Sequence, residues 1–153
     1  MSNKKTIAVY AIALNEEKSA ERWLKSANEA DFIIVGDTGS TDKTKQILID
    51  GGASVYDIKI KPFRFDSARN AVLSLVPDVD ICVSLDLDEF FEPGWRNHLE
   101  NAWTDETTRL EYRYACNWDT DPNYIIRAKK IHARYGYVWK RPVHEDIYIQ
   151  VMR

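Results

Sequence analysis

Residues 81–95 read ICVSLDLDEFFEPGW. An apolar run with strand character, Ile81–Leu85, ends on Asp86, Asp88 and Glu89, and Pro93-Gly94 then leads into a helix. Three acids at the mouth of a buried strand repel one another unless positive charge sits between them. The stretch therefore predicts a buried strand whose end is chemically occupied.

Upstream, strand and helix signals alternate. Ile7–Leu14 is nearly all apolar, as expected of a strand covered on both faces. Asn15 is placed to cap a helix with an acidic first turn (Glu16, Glu17) and an inner face of Ala20, Trp23, Leu24 and Ala27. Asp31–Gly36 predicts a second strand. The loop DTGSTD follows, then a helix capped by Ser40 or Thr41 and closed near Gly51-Gly52. Ala53–Ile60 reads as a third strand. Asp66 is placed to cap a further helix with Ala68, Val72 and Leu75 inward, and Pro93 starts the one reaching Trp103. Such alternation predicts an α/β fold with a mostly parallel sheet flanked by helices. The last third alternates with period two (Leu110, Tyr112, Tyr114, Cys116). It turns at NWDTDPN and resumes through Ile125-Ile126 and RYGYVWKRPVHED, predicting antiparallel β additions. Residues 1–153 are expected to form one domain, with 1–104 the α/β part and 105–153 the β-rich part.

The bulk numbers narrow the function. The chain is 44% hydrophobic and 29% charged, with a net charge of -3. That balance argues against nucleic acid as a partner. Cys82 and Cys116 lie far apart without CxxC spacing, so a disulfide framework or zinc site is not expected and a cytosolic setting fits. No run approaches the ~18–20 apolar residues of a membrane span. Oligomeric state is not readable.

Ligands of parallel α/β sheets bind beyond the carboxyl ends of the strands, where the polar clusters fall: Asn15-Glu16-Glu17, Asp37–Ser40 and Asp86-Asp88-Glu89. Asp86 and Asp88 are convergent hard oxygen ligands suited to Mg²⁺ or Mn²⁺, or else a solvated acidic turn. An EF-hand fits poorly, because Phe90 stands where its pattern wants an oxygen ligand, and a phosphatase-type nucleophile usually opens the fold rather than arriving after several α/β units. In FIIVGDTGSTDKT, Gly36 and Gly39 permit close backbone approach and the helix start could take an anion. It is not a P-loop, because Asp42 stands where Gly should precede Lys-Thr. Asp37 is placed to accept hydrogen bonds from a base or ribose. Arg69 sits in a first helical turn, where the helix dipole disfavours it. An anionic ligand or a salt bridge would each explain it. His144, Glu145 and Asp146 follow Pro142, where a carboxylate could serve as general base or be solvated.

In order along the chain, ALNEEK, VGDTGSTDKT, FDSARNAVL, SLDLDE and WKRPVHED together resemble the family 2 glycosyltransferases of GT-A fold. The resemblance implies transfer of a sugar, with inversion, from a nucleotide-diphosphate sugar to an acceptor hydroxyl on a glycan, lipid-linked sugar or polypeptide. A UDP-sugar is favoured as donor. It implies nucleotide-binding roles for Ala13, Asn15, Glu17 and Asp37, and places Arg69 near the diphosphate or donor sugar. Asp86 and Asp88 would bind the diphosphate through Mn²⁺ or Mg²⁺, Asp88 being the better direct ligand. Glu145 or Asp146 would be the acceptor base. The VHE form looks most like the branch acting in bacterial or phage surface-sugar and peptide glycosylation. Relatives usually continue past the base motif, so a shortened C-terminus is expected. Two other functions fit parts of the pattern: a non-catalytic sugar-nucleotide or glycan-binding module, and a metal-dependent nucleotidyltransferase. The latter lacks its glycine- and arginine-rich phosphate loop.

Overall fold

The computed structural model describes residues 4–117 and 120–150. The alternating signals resolve into β1 (Ile7–Ala13), α1 (Glu17–Ala27), β2 (Phe32–Asp37), α2 (Thr44–Asp50), β3 (Ser54–Asp57), α3 (Phe65–Leu75), β4 (Ile81–Ser84) and α4 (Trp95–Ala102). The last third forms β5 (Arg109–Asn117), β6 (Asp121–Ala133), β7 (Tyr137–Lys140) and β8 (Asp146–Ile149). Six strands make one sheet in the order β3-β2-β1-β4-β6-β5, and β7 and β8 form a separate pair. The pairs β1–β2, β2–β3 and β1–β4 are parallel, whereas β4–β6 and β5–β6 are antiparallel. The expected α/β class, with antiparallel additions in the last third, is the fold observed.

The two faces of the sheet are covered differently. On one, Val9, Ala11, Val35, Val83 and Leu85 pack with Trp23 of α1, Leu48 of α2 and Trp95 and Leu99 of α4. On the other, Ala8, Tyr10, Ile34 and Cys82 pack with Val72 and Leu73 of α3 and with Tyr137, Trp139 and Ile147 of the β7–β8 pair. This double cover is why β1 and β4 read as unbroken apolar runs. Gly36 belongs to the second face. A Cβ there would come within 2.4 Å of Val72 Cγ2 and 2.6 Å of Ile58 Cδ1. Its small size therefore serves the packing of α3 on β2, and the expected approach of a ligand to Gly36 is replaced by that of a helix.

Helix starts differ from expectation for local reasons. Asn15 has φ 52 and leads into the helix without capping it, its side chain being spent on the next loop; Glu16 occupies the cap position of α1. Lys43, rather than Ser40 or Thr41, precedes α2, and Arg64 rather than Asp66 precedes α3. Asp66 lies within the first turn, bonded by Arg64. Leu75 is exposed, because the buried stripe of α3 runs through Ala68, Arg69, Val72 and Leu73. The third strand is shorter than Ala53–Ile60. Of the turn NWDTDPN, Trp118 and Asp119 lie outside the described residues, and Asp121 already belongs to β6. Cys82 is a free, buried thiol. Among the described residues no helix is long and apolar enough to cross a membrane.

A polar chain runs through the second core face. Trp139 Nε1–H donates to Tyr10 Oη at 2.8 Å, and Tyr10 Oη lies 2.8 Å from His132 Nε2. His132 Nδ1 is 2.7 Å from the Ala133 carbonyl, which only accepts, so Nδ1 carries the proton and Nε2 accepts from tyrosine. The ring is neutral. Burial pushes the His132 pKa from 6.5 down to about 4, and burial raises that of Tyr10.

A histidine with a lowered folded pKa takes up its proton in the unfolded chain first. Stability is then lost as pH falls from about 6.5 toward 4. The loss attributable to His132 should be on the order of 3 kcal/mol. Urea titrations at pH 7 and pH 4.5 measure it, and His132→Gln, which cannot charge, should flatten the difference.

Candidate active site

Three strand ends and one late turn meet at the carboxyl edge of the sheet. Ala13, Asp37 and Asp86 stand at or just beyond the ends of β1, β2 and β4, and Ala13 and Asp37 are register partners. Glu145 comes from the turn joining β7 to β8. Arg141 and His144 in that turn have φ 81 and 55, a backbone course that turns Glu145 inward.

Arg69 joins these parts. Its Nε–H donates to Glu145 Oε1 and its Nη1–H to Asp86 Oδ1, both at 2.7 Å, and the guanidinium lies 4.8 Å from the Trp139 ring centre. Burial works against the Arg69 charge, but Asp86 and Glu145 outweigh it and hold its pKa above the ordinary value. The neighbouring Asn70 donates from Nδ2 to the Trp139 carbonyl and accepts the Trp139 N–H at Oδ1. The ARN segment thus binds the β7–β8 pair to the main sheet.

Residues 86–89 form a closed turn. The Glu89 N–H donates to the Asp86 carbonyl at 2.9 Å, and the Asp86 N–H donates to Glu89 Oε1 at 2.8 Å. Leu87 is buried and anchors the turn, while Asp88 projects into solvent. From β6, Lys130 Nζ donates to Glu89 Oε1 and lies 3.6 Å from Asp86 Oδ2. Burial would raise the Asp86 pKa, but Lys130 and Arg69 together hold it below the ordinary value. For Glu89, burial dominates over Lys130 and raises it. The turn is buttressed from α1: Trp23 Nε1–H donates to the Leu85 carbonyl, Ser26 brackets Phe91, and Trp95 Nε1–H donates to the Ser26 carbonyl. Phe91 and Trp95 are accordingly packing groups.

Asp37 is buried with an unusual deficit. Its Oδ2 accepts the N–H groups of Gly39 and Ser40 at 3.0 and 2.8 Å, but Oδ1 is buried with no hydrogen-bond partner. Leaving a carboxylate oxygen so costs free energy that an incoming donor would recover.

Other candidates are differently employed. Asn15 Oδ1 accepts the Thr41 N–H at 2.8 Å, and Glu17 Oε2 accepts the Lys43 N–H at 3.0 Å. These two side chains shape the loop beside Asp37. The Ala13 carbonyl accepts the Thr38 N–H. Asp146 is exposed and bonds its own strand's Ile147 N–H, so the structure brings Glu145, and not Asp146, to Arg69. Lys130, Tyr10, His132 and Trp139 escaped the sequence reading. Only the basic residue next to apolar Ile131 in AKKIHA hints at Lys130, and nothing local pairs it with an acid 41 residues away. Glu16 faces the acid turn: burial first, then Asp88, Asp86 and Asp42, raise its pKa.

Among the described residues no preformed group of three ligands could hold a metal ion. The donor set nonetheless suits a hard cation. Asp88 is exposed, its carboxylate in no hydrogen bond or ion pair among the described contacts, and Asp86 Oδ2 has only the longer contact to Lys130. A cavity of about 760 Å³ opens beside the turn between α4 and β5, sharing Asp88 and Glu89 and lined further by Phe91, Trp95, Tyr112 and Ile131. It does not reach Glu145.

The sequence profile described as "Glycosyl transferase family 2" matches residues 8–148, and the chain belongs to that family. Similar solved structures include glucosyl-3-phosphoglycerate synthase from Mycobacterium tuberculosis in complex with Mn²⁺, UDP and glucosyl-3-phosphoglycerate. It is 32% identical, covers 54% of this chain and 33% of that one, and has a TM-score of 0.47. The same enzyme with Mg²⁺ and UDP gives 32%, 54%, 33% and 0.47, and with Mn²⁺ and UDP-glucose 32%, 55%, 33% and 0.48. The chain spans about a third of the length of these structures. No curated protein matches it.

Arg69→Met removes the partner of two carboxylates at once. It should cost about 2–3 kcal/mol in urea unfolding, less than the roughly 3–5 kcal/mol of a fully buried pair, since the Asp86 side chain keeps 33% of its surface exposed. Arg69→Lys, unable to make both contacts in one plane, should recover only part of the loss.

Proposed function

We propose that this chain transfers a sugar from a nucleotide-diphosphate sugar, a UDP-sugar by preference, to an acceptor hydroxyl with inversion. Family membership supports the reaction class, and the observation that carries the donor site is the orphaned Oδ1 of Asp37. It sits at the end of β2, two strands from Asp86, roughly 10 Å across the sheet edge. Asp37 would accept a hydrogen bond from the base or ribose, with Ala13, Asn15 and Glu17 shaping the pocket wall. The diphosphate would lie toward β4, with Arg69 as a nearby positive charge. Asp88, assisted by Asp86, would hold Mn²⁺ or Mg²⁺, which as a Lewis acid stabilises charge on the departing diphosphate.

In the reaction the acceptor oxygen bonds to C1 as the C1–O bond to the diphosphate breaks. The acceptor proton passes to a carboxylate on the opposite side. Its inward course supports Glu145 over Asp146 for this role: Oε1 is engaged by Arg69, and a carboxylate has capacity to spare at Oε2. We further read the Val143-His144-Glu145 form as that of the bacterial or phage surface-sugar and peptide branch, and the cytosol as its working compartment.

Thermal shift with UDP tests the donor site. Near 100 times Kd, UDP with Mn²⁺ should raise Tm by roughly 5–10 °C. Asp88→Ala should lose the Mn²⁺-dependent part, and Asp37→Ala most of the response. No shift with any nucleoside diphosphate would overturn the reading. Donor turnover, by transfer or hydrolysis, should fall about 10²-fold or more in Glu145→Gln; an equal loss confined to Asp146→Asn would move the base to that residue.

A further inference from the structure

Lys130 stands one residue beyond the last β4–β6 register pair, Val83 with Ile131, and so reaches the end of β4 from the antiparallel side. Its Nζ–H donates to Glu89 Oε1, the same oxygen that accepts the Asp86 N–H. That single oxygen is the hub of the turn, and Lys130 holds the hub in place. Side-chain exposure is 19% for Lys130 and 8% for Glu89, so water competes poorly for the contact. The contact to Asp86 Oδ2, at 3.6 Å, is longer than that of Arg69 to Oδ1, at 2.7 Å.

We propose that Lys130 is a positioning residue for cation binding: through Glu89 it fixes the 86–89 turn that carries Asp86 and Asp88. The inference rests on the donor-site reading above. Two physical effects of Lys130 oppose each other, and their signs separate them. As a charge it repels an incoming cation, and its removal would tighten binding. As the anchor of Glu89 it orients the carboxylates, and its removal would weaken binding. Outer partners of metal ligands typically govern affinity by 10–100-fold, and the Lys130 ammonium faces Glu89 more closely than Asp86, so anchoring prevails.

Mn²⁺ uptake, followed by the electron paramagnetic resonance of free Mn²⁺ at saturating UDP, decides the sign. Lys130→Met should weaken Mn²⁺ binding about tenfold or more while leaving metal-free UDP binding within twofold. Lys130→Arg, which can still reach Glu89, should recover most of the loss. Mn²⁺ binding that is unchanged, tightened, or weakened less than threefold in Lys130→Met overturns the inference. Should Lys130→Met fail to fold, Lys130→Gln decides, since it removes the charge and keeps a polar side chain: Mn²⁺ binding no tighter than wild type is expected, and tighter binding overturns the proposal. Wild-type protein that takes up no Mn²⁺ removes the donor-site reading and this inference together, whereas an altered sign in the variants removes the inference alone.

Discussion

The Arg69 guanidinium is the interaction on which the arrangement of this sheet edge depends. A buried guanidinium without partners would cost several kcal/mol, and here it is matched by Asp86, Glu145 and the face of Trp139. Those partners come from the end of β4, the β7–β8 turn and β7 itself. Satisfying one charge therefore fixes three segments, the farthest 76 residues away in sequence. The Arg69–Asn70 pair works as a unit, Asn70 clamping the Trp139 backbone while Arg69 holds the side chains. Without it the β7–β8 pair would keep its apolar packing on α3 and the Trp139–Tyr10 hydrogen bond, but Glu145 would lose the guanidinium that ties it to Asp86.

The same edge carries unequal charge. Arg69 and Lys130 bracket the Asp86 carboxylate and hold it ionised, whereas Glu16 is pushed the other way by Asp88, Asp86 and Asp42 once its own burial is counted. The protein's own cations contact two carboxylates of the acid turn, Asp86 and Glu89, and leave Asp88 facing solvent. Such an arrangement would suit the cation proposed above. It is folded tightly enough to preorganise one ligand, and open enough that the second is not already neutralised from within.

How far the sequence could foretell this follows from the range of the forces. Strand and helix order was legible because double-sided burial leaves unbroken apolar runs and amphipathic helices leave a stripe. The acid end of β4 and Asp37 were legible because topology alone carries strand ends to one edge. Helix starts were not, since Asn15, Ser40 and Asp66 are good caps in isolation but are drawn into contacts with the neighbouring loop or with Arg64. Gly36 shows the same limit: a glycine's small size is visible in sequence, but whether a ligand or a helix uses the space is not. Lys130 was invisible because its partner lies across an antiparallel pairing that no local pattern specifies. The neutral state of His132 likewise depends on a tyrosine 122 residues away.

Two deficits remain at this edge, and their chemistry differs. At the end of β2, Asp37 Oδ1 lacks a hydrogen-bond donor; at the end of β4, the exposed Asp88 and the long contact of Asp86 Oδ2 leave negative charge partly unmatched. The loops that follow β1 and β2 bond to each other through Asn15, Ser40, Glu17 and Asp42. That mutual bonding stiffens the wall between the two points without filling either. The nucleotide-diphosphate donor proposed above, with a hydrogen-bond donor at one end and a cation-bound diphosphate at the other, would answer both deficits at once. On the proposed donor reading, the acid turn and the unsatisfied oxygen of Asp37 are the two ends of one site.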